Sequence, residues 1–141
     1  MPSRTRPAAQ CPMIPSVSAS AAGPLAYRTS AADSGQRQLV WLDRSGRETD
    51  KVVYGDTENL GPALSHDGRR VAVLRLADGN MDIWSYDTNR RAWHRNTFDP
   101  GDDIWPLWSR DGTSIVFGSV RKTAKGESVT NVDLYRNVVN G

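Results

Sequence analysis

The feature that most constrains this chain is an internal repeat with an offset of 44 residues. The segment 62–73 reads Pro-Ala-Leu-Ser-His-Asp-Gly-Arg-Arg-Val-Ala-Val, and the segment 106–117 reads Pro-Leu-Trp-Ser-Arg-Asp-Gly-Thr-Ser-Ile-Val-Phe. A second element, Asn-Met-Asp-Ile-Trp at 80–84, returns as Asn-Val-Asp-Leu-Tyr at 131–135. Its offset is 51, because seven extra residues fall in the polar stretch 122–128. Two consecutive segments therefore share one structural plan.

A third copy of the repeat lies upstream and is degraded. Leu-Val-Trp-Leu-Asp at 39–43 aligns with 83–87 at the same offset of 44, and 23–27 aligns weakly with 68–73. The copies span about 17–57, 58–101 and 102–141. Residues 1–16 contain four prolines and few bulky apolar groups. They cannot bury enough surface to offset the entropy of ordering them, so we expect a flexible leader.

Each copy consists of short apolar runs separated by Gly, Asp, Asn and Ser, which is typical of strands joined by turns. No stretch of eleven or more residues keeps apolar groups at helical spacing without a glycine or proline. A repeat of about 40 to 45 residues with four short strands indicates one blade of a β-propeller. The sequence therefore predicts an all-β chain, a β-propeller fragment of about two and three-quarter four-stranded antiparallel blades.

In the second copy the predicted strands are 60–65, 70–76, 81–87 and 92–98. Asp67-Gly68 and Asp111-Gly112 suit the tight turn between the first two strands of a blade, because glycine accepts positive φ and the aspartate can bond nearby amides. Pro62 and Pro106 lack an amide donor, so we expect them at strand starts, where no ladder bond is lost.

A closed propeller needs at least four blades, or about 160 residues, which exceeds the repeat region of this chain. We therefore expect a fragment of a longer protein, a truncated gene product or half of an assembly. The third copy lacks an outer strand, and open blade edges predict self-association. One form of self-association would be a six-bladed ring completed by two copies of the chain.

Composition excludes several other classes of protein. The net charge is +2, and arginine alternates with aspartate along the repeats, so no basic stripe for phosphates is present and nucleic acid is not an expected partner. Cys11 is the single cysteine, which rules out a disulfide or a Cys-based zinc site within one chain. No apolar run is long enough to span a bilayer, and the first 30 residues contain no apolar block of signal-peptide type.

The repeated segments at 62–73 and 106–117 resemble those of the TolB-type, WD-repeat-like propeller family. Blades of that family carry Pro-x-Trp-Ser-Pro-Asp-Gly followed by an apolar strand and an Asp-Ile-Trp/Tyr strand. The resemblance covers residues 17–141, with His66 and Arg110 in place of the family's usual proline. The phrases at 23–28 and 37–46 are also similar to the opening of propeller domains attached behind membrane-anchored bacterial serine/threonine kinases. The resemblance implies six blades in a complete domain and an extracytoplasmic or periplasmic location.

Candidate contact residues lie where the inner strands begin. Trp105 aligns with Gly61, so the repeat constrains it less than Trp84 and Trp108, which we expect to pack between blades. By the WD-repeat analogy, the segments before the inner strands converge at one opening of the central channel, where carboxylates could hold calcium, although solvated loop residues are the simpler interpretation. The candidate ligand or partner contacts are Glu58, Asn59, Asp102, Asp103 and Trp105.

No catalytic motif is present. The sequence contains no Gly-x-Ser-x-Gly elbow, no glycine-rich phosphate loop, no His-Arg-Asp and no Asp-Phe-Gly. His66 and His94 have no apparent serine partner. We therefore expect no enzymatic activity and no cofactor, and a non-catalytic propeller segment that binds a protein or small ligand. The alternatives are the gating propeller of a prolyl-oligopeptidase-like serine peptidase, whose blades are similar, and a truncated product without independent function.

Overall fold

A computed structural model of the chain describes residues 17–30, 37–53, 60–121 and 131–139, and these form strands and turns without a helix. The strands make three antiparallel sheets, here called blades 1, 2 and 3. Blade 1 contains β1 (Val17–Ala19), β2 (Leu25–Ser30), β3 (Arg37–Leu42) and β4 (Glu48–Val53). Blade 2 contains β5 (Leu60–Leu64), β6 (Arg70–Ala77), β7 (Asn80–Asp87) and β8 (Ala92–Arg95). Blade 3 contains β9 (Asp103–Trp108), β10 (Ser114–Ser119) and β11 (Asp133–Val138).

Every blade is a meander in which consecutive strands pair. The β5–β6 turn has the predicted chemistry: Gly68 has φ +72°, and its N–H donates to the carbonyl of Ser65. The Ser65 hydroxyl donates to Asp67 Oδ1 at 2.6 Å and accepts from the amide of Arg70 at 2.9 Å. The β9–β10 turn repeats these bonds around Ser109, Asp111, Gly112 and Ser114. The repeated sequence therefore encodes one turn geometry twice.

The core lies between the blades, and β6 contributes to both of its halves. Val71 and Val73 pack against blade 1 in a cluster with Leu39 and Trp41, while the alternate residues Ala72 and Leu74 pack against blade 3. All four β6 residues are at most 1% exposed. Successive side chains on a strand point to opposite faces, so an uninterrupted apolar strand is expected where a sheet is covered on both sides. Blade 2 is that doubly covered sheet.

Hydrogen bonds also join neighbouring blades. Ser18 Oγ accepts from the amide of Leu64 at 2.9 Å, which connects β1 to β5. The Trp108 indole donates to the carbonyl of Ala63 at 2.9 Å, which connects β9 to β5. The three inner strands β1, β5 and β9 are therefore held side by side.

Two sequence-based details are wrong. The last strand of blade 2 ends at Arg95 rather than at residue 98, because the hydroxyl of Thr97, rather than a backbone carbonyl, accepts from the amide of Ile83. Pro62 and Pro106 lie inside β5 and β9 rather than at strand starts. Both prolines lie at register shifts of the strand pairing. The shift at Pro62 falls between Leu60 and Ala63 of β5, and the shift at Pro106 faces the segment between Val116 and Gly118 of β10. The backbone pairing leaves both prolines out, so no ladder bond is lost there.

Other expectations are not tested. Residues 1–16, predicted as a leader, lie outside the described residues, and the division into copies at 57/58 and 101/102 stays a prediction. The described part of the chain contains no helix that is long and apolar enough to cross a membrane.

Candidate functional site

A groove of about 330 Å³ runs across the inner strands of all three blades. Pro62 of β5 and Pro106 of β9 are equivalent positions of the repeat, and Val17 of β1 contributes to the same lining. In a complete propeller the inner strands surround the central channel, and we call this groove the axial groove. Its lining is predominantly apolar and consists of Val17, Ser18, Gly61, Pro62, Ala63, Leu74, Trp105, Pro106 and Leu107.

A bulge repeated in β5 and β9 shapes this groove. Gly61 has φ +59° and Trp105 has φ +56°, at equivalent places in the two strands. Glycine adopts this left-handed conformation readily, whereas a residue with a side chain pays roughly 1–2 kcal/mol there. Trp105 therefore holds a strained backbone conformation that its counterpart in blade 2 holds without strain. Such strain at an exposed aromatic residue is a reason to consider a functional role.

The Trp105 indole is half exposed. A Cβ built on Gly118 of β10 would lie 3.3 Å from its Cε3 and 2.6 Å from Val132, so both side chains cover this glycine. Aromatic rings provide large contact area with few rotatable bonds, which suits a ligand platform. Trp105 is the predicted contact residue that the structure places in the groove.

The two predicted aspartates lie between blades 2 and 3. Asp102 Oδ1 accepts from the amide of Met81 at 2.9 Å, which joins β7 to the segment before β9. Asp103 is fully buried, opposite Ser119 of β10. Burial raises the pKa of Asp103 above 3.8, and the hydroxyls of Ser119 and Thr97 oppose that rise. Glu58 and Asn59 lie outside the described residues, and a ligand-binding role for any of the five stays a prediction.

Sequence reasoning missed a polar network beside Asp103. Asp82 of β7 is fully buried, and its Oδ2 accepts from Arg95 Nη2 at 2.5 Å. Its Oδ1 accepts from the Thr97 hydroxyl at 3.3 Å. Burial raises the pKa of Asp82, and Arg95 opposes that rise. The sequence feature that could have drawn attention to Asp82 is the repeated Asn-x-Asp at 80–82 and 131–133. Nothing in the sequence, however, indicates that Asp82 pairs with Arg95. The network ties the end of β8 to β7.

The remaining candidates have structural environments. Trp108 is 8% exposed and packs in the core between blades 2 and 3, and Trp84 packs against the core between blades 1 and 2. His66 lies exposed in the β5–β6 turn and His94 lies exposed in β8. Within the described ranges, no group of three or more His, Cys, Asp or Glu side chains is arranged to hold a metal ion.

Comparisons with known proteins concern the fold. The chain matches no family model and no curated protein by sequence. TolB from Acinetobacter baumannii superimposes with a TM-score of 0.66 at 22% identity, covering 86% of this chain and 28% of TolB. A prolyl endopeptidase superimposes with a TM-score of 0.67 at 16% identity, covering 84% of this chain and 20% of that enzyme.

A third solved structure is the β-propeller domain of the Trilobed protease from Pyrococcus furiosus. Its TM-score is 0.56 at 12% identity, covering 85% of this chain and 41% of that domain. The chain thus spans between a fifth and about two fifths of these structures. Identities this low show the fold alone. The three sheets have the fold of β-propeller blades, and the chain corresponds to part of such a propeller.

Proposed function

We propose that this chain is a non-catalytic propeller segment that binds a protein or a small ligand through the axial groove. The observation that carries the proposal is Trp105, which is half exposed beside the groove while its backbone is strained. Apolar concave surfaces with a few polar groups are the usual form of ligand sites. The groove offers the aromatic ring of Trp105, two prolines and the hydroxyl-bearing Ser18, which suits an apolar peptide side chain.

The resemblance to TolB-like and kinase-attached propellers extends this proposal to an extracytoplasmic sensor or adaptor. Propeller scaffolds host many functions, because specificity lies in the residues placed on them. The fold alone therefore does not identify the partner, and the proposal rests on the groove.

A selection with a phage-displayed random peptide library tests the groove. The immobilised chain selects binders, which are then measured against Trp105→Gly and against Phe98→Ala. Glycine fits the backbone at position 105, as Gly61 does in blade 2, so this variant removes the indole without straining the bulge. Phe98 is an exposed aromatic residue outside the groove and serves as the matched control.

We expect the selected peptides to bind Phe98→Ala like the parent chain and Trp105→Gly at least about tenfold more weakly, as for an aromatic hot spot. Circular dichroism establishes that both variants are folded. Equal binding to Trp105→Gly, or a selection that yields no binders, would contradict the proposal.

The second candidate function is the gating propeller of a serine peptidase, which the superposition on a prolyl endopeptidase favours. Reading the gene on both sides of the region encoding 1–141 separates the two. An in-frame hydrolase domain with a Gly-x-Ser-x-Gly elbow would favour gating. An upstream kinase with a membrane helix would favour the sensor role.

A further inference from the structure

A second cleft, of about 390 Å³, lies where the inner strands end and enter their turns. On each inner strand the residues that line the axial groove come first in the chain and those that line this cleft follow, so the two sites occupy opposite ends of β1, β5 and β9. Leu107 of β9 is common to both linings. We call this site the turn cleft and define it by Ala19, Leu64, His66, Trp108 and Arg110.

The apolar part of the turn cleft is held in place by the core. Leu64 and Trp108 are each 8% exposed, and they belong to the clusters between blades 1 and 2 and between blades 2 and 3. The Trp108 indole donates to the carbonyl of Ala63, which fixes the orientation of the ring. Leu107 is 68% exposed and adds an apolar wall. An apolar group of a ligand therefore meets a surface that is already formed.

Two basic side chains line the turn cleft at equivalent positions of the repeat. His66 lies in the β5–β6 turn, and Arg110 lies 44 residues further on in the β9–β10 turn. Both are exposed, and neither side chain has a hydrogen bond or ion pair to any residue that the structure describes. Both groups are therefore available to a ligand.

The acidic residues of the same turns are engaged elsewhere. Asp67 Oδ1 accepts from the Ser65 hydroxyl at 2.6 Å, and Asp111 Oδ1 accepts from the Ser109 hydroxyl at 2.6 Å. Each also accepts from the backbone amide two residues further on. None of the described residues that line the turn cleft is acidic. The site therefore combines basic side chains with an apolar surface, and it is complementary to a ligand that carries one negative charge beside an apolar group.

We propose that the turn cleft binds an apolar carboxylic acid. The guanidinium of Arg110 presents parallel N–H donors that match the two oxygens of a carboxylate. The His66 ring supplies a further donor, and the apolar part of the acid packs against Leu107 and the exposed edge of Trp108. A free aromatic acid and the C-terminus of a peptide that ends in an aromatic residue share this chemistry. The proposal does not depend on the axial groove, because Trp105 lies outside the turn cleft.

Titration of the intact chain with N-acetyl-phenylalanine, followed by NMR, is the first part of the test. N-acetyl-phenylalaninamide is the matched ligand, because it has nearly the same shape without the charge. We expect the acid to shift the indole resonance of Trp108 and the backbone amides of His66 and Arg110, with a Kd of about 1 mM. The amide should bind at least about fivefold more weakly, since the charge-assisted bonds to the guanidinium are lost. The absence of saturable shifts at these residues, or equal affinity for acid and amide, would overturn the proposal.

Two substitutions of exposed arginines are the second part. Arg110→Gln should weaken the binding of N-acetyl-phenylalanine at least about fivefold and remove the preference for the acid over the amide. Arg69→Gln removes the same charge from the β5–β6 turn outside the cleft, and it should keep the parent affinity within about twofold. Parent affinity in Arg110→Gln, or an equal loss in both variants, would overturn the proposal.

A third variant separates the turn cleft from the axial groove. Trp105→Gly should bind N-acetyl-phenylalanine like the parent chain, and a loss of binding would place the acid in the axial groove and overturn the proposal. Peptides selected for the axial groove should bind Arg110→Gln like the parent chain, so either function can fail without the other. The tripeptide Ala-Ala-Phe distinguishes the two sources of the carboxylate, and both results support the site. Tighter binding than that of N-acetyl-phenylalanine indicates a peptide C-terminus, and weaker binding indicates a free acid.

Discussion

Substituting the two repeat-turn glycines by alanine tests how the blades stack. Gly68 and Gly112 have φ values of +72° and +69°, so alanine at either position meets the same left-handed penalty of roughly 1–2 kcal/mol. Their surroundings differ. A Cβ at Gly68 would lie 2.6 Å from Pro24 Cγ and 2.9 Å from Ser20 Oγ in the neighbouring turn of blade 1. A Cβ at Gly112 would meet only Arg70 Nη2, at 3.0 Å.

Both new Cβ atoms would meet the neighbouring blade, so the two variants should differ by how far that neighbour resists displacement. The proline ring at position 24 cannot rotate away, and overpacking of this kind costs about 1–3 kcal/mol. The guanidinium of Arg70 donates to the Gly112 carbonyl and lies over the Trp108 ring, but the end of this flexible side chain has to move by only a few tenths of an ångström. We expect Gly68→Ala to be less stable than Gly112→Ala by about 1–3 kcal/mol.

Urea unfolding monitored by circular dichroism measures this difference. With a denaturant slope of about 2 kcal/mol/M, the midpoint of Gly68→Ala should lie roughly 0.5–1.5 M below that of Gly112→Ala. Equal midpoints would mean that the turn of blade 1 does not approach Gly68, and the reasoning about face-to-face blades would be refuted.

Three further predictions concern individual side chains. The Ser109 hydroxyl is the main cause that lowers the pKa of Asp111 to about 2, so Ser109→Ala should raise this pKa towards 3.8, measured by NMR titration. Burial raises the pKa of Asp103, so its contribution to stability is present at low pH and is lost as pH rises through the folded-state pKa. The melting temperature of Asp103→Asn should therefore fall less, or rise more, between acid and neutral pH than that of the parent chain, and an unchanged difference between the two pH values would contradict this. Trp108→Phe should cost about 1–3 kcal/mol, because the carbonyl of Ala63 loses its indole donor in a mostly buried site, and a change below 0.5 kcal/mol would argue against that bond.

The parts of the fold that could be predicted are those encoded locally. The Asp-Gly turns are visible in the sequence because their geometry requires those residues at those positions. Val71, Ala72, Val73 and Leu74 of β6 form an apolar run, and this run indicates a strand covered on both faces. The repeat then places such strands in consecutive sheets, which was enough to predict blades.

The parts that could not be predicted depend on contacts between distant residues. The bulge of β5 and β9 is hinted at by Gly61, but Trp105 at the equivalent position conceals it, and the strain is visible only in the backbone. The ion pair of Asp82 with Arg95 needs β7 and β8 to be aligned before it can be inferred. Trp105 could be singled out from the sequence because it departs from the repeat, and its role as a ligand contact stays a prediction.

The repeated segments are successive blades packed face to face, and the hydrogen bond from the Trp108 indole of β9 to the Ala63 carbonyl of β5 depends directly on this packing. A nitrogen-edited NOESY spectrum of the intact chain measures it directly. The structure predicts cross-peaks from the indole N–H of Trp108 to the backbone protons of Ala63 and Leu64, since the indole nitrogen lies 2.9 Å from the Ala63 carbonyl oxygen. An assigned indole resonance without cross-peaks to Ala63 or Leu64 in a folded chain would contradict it.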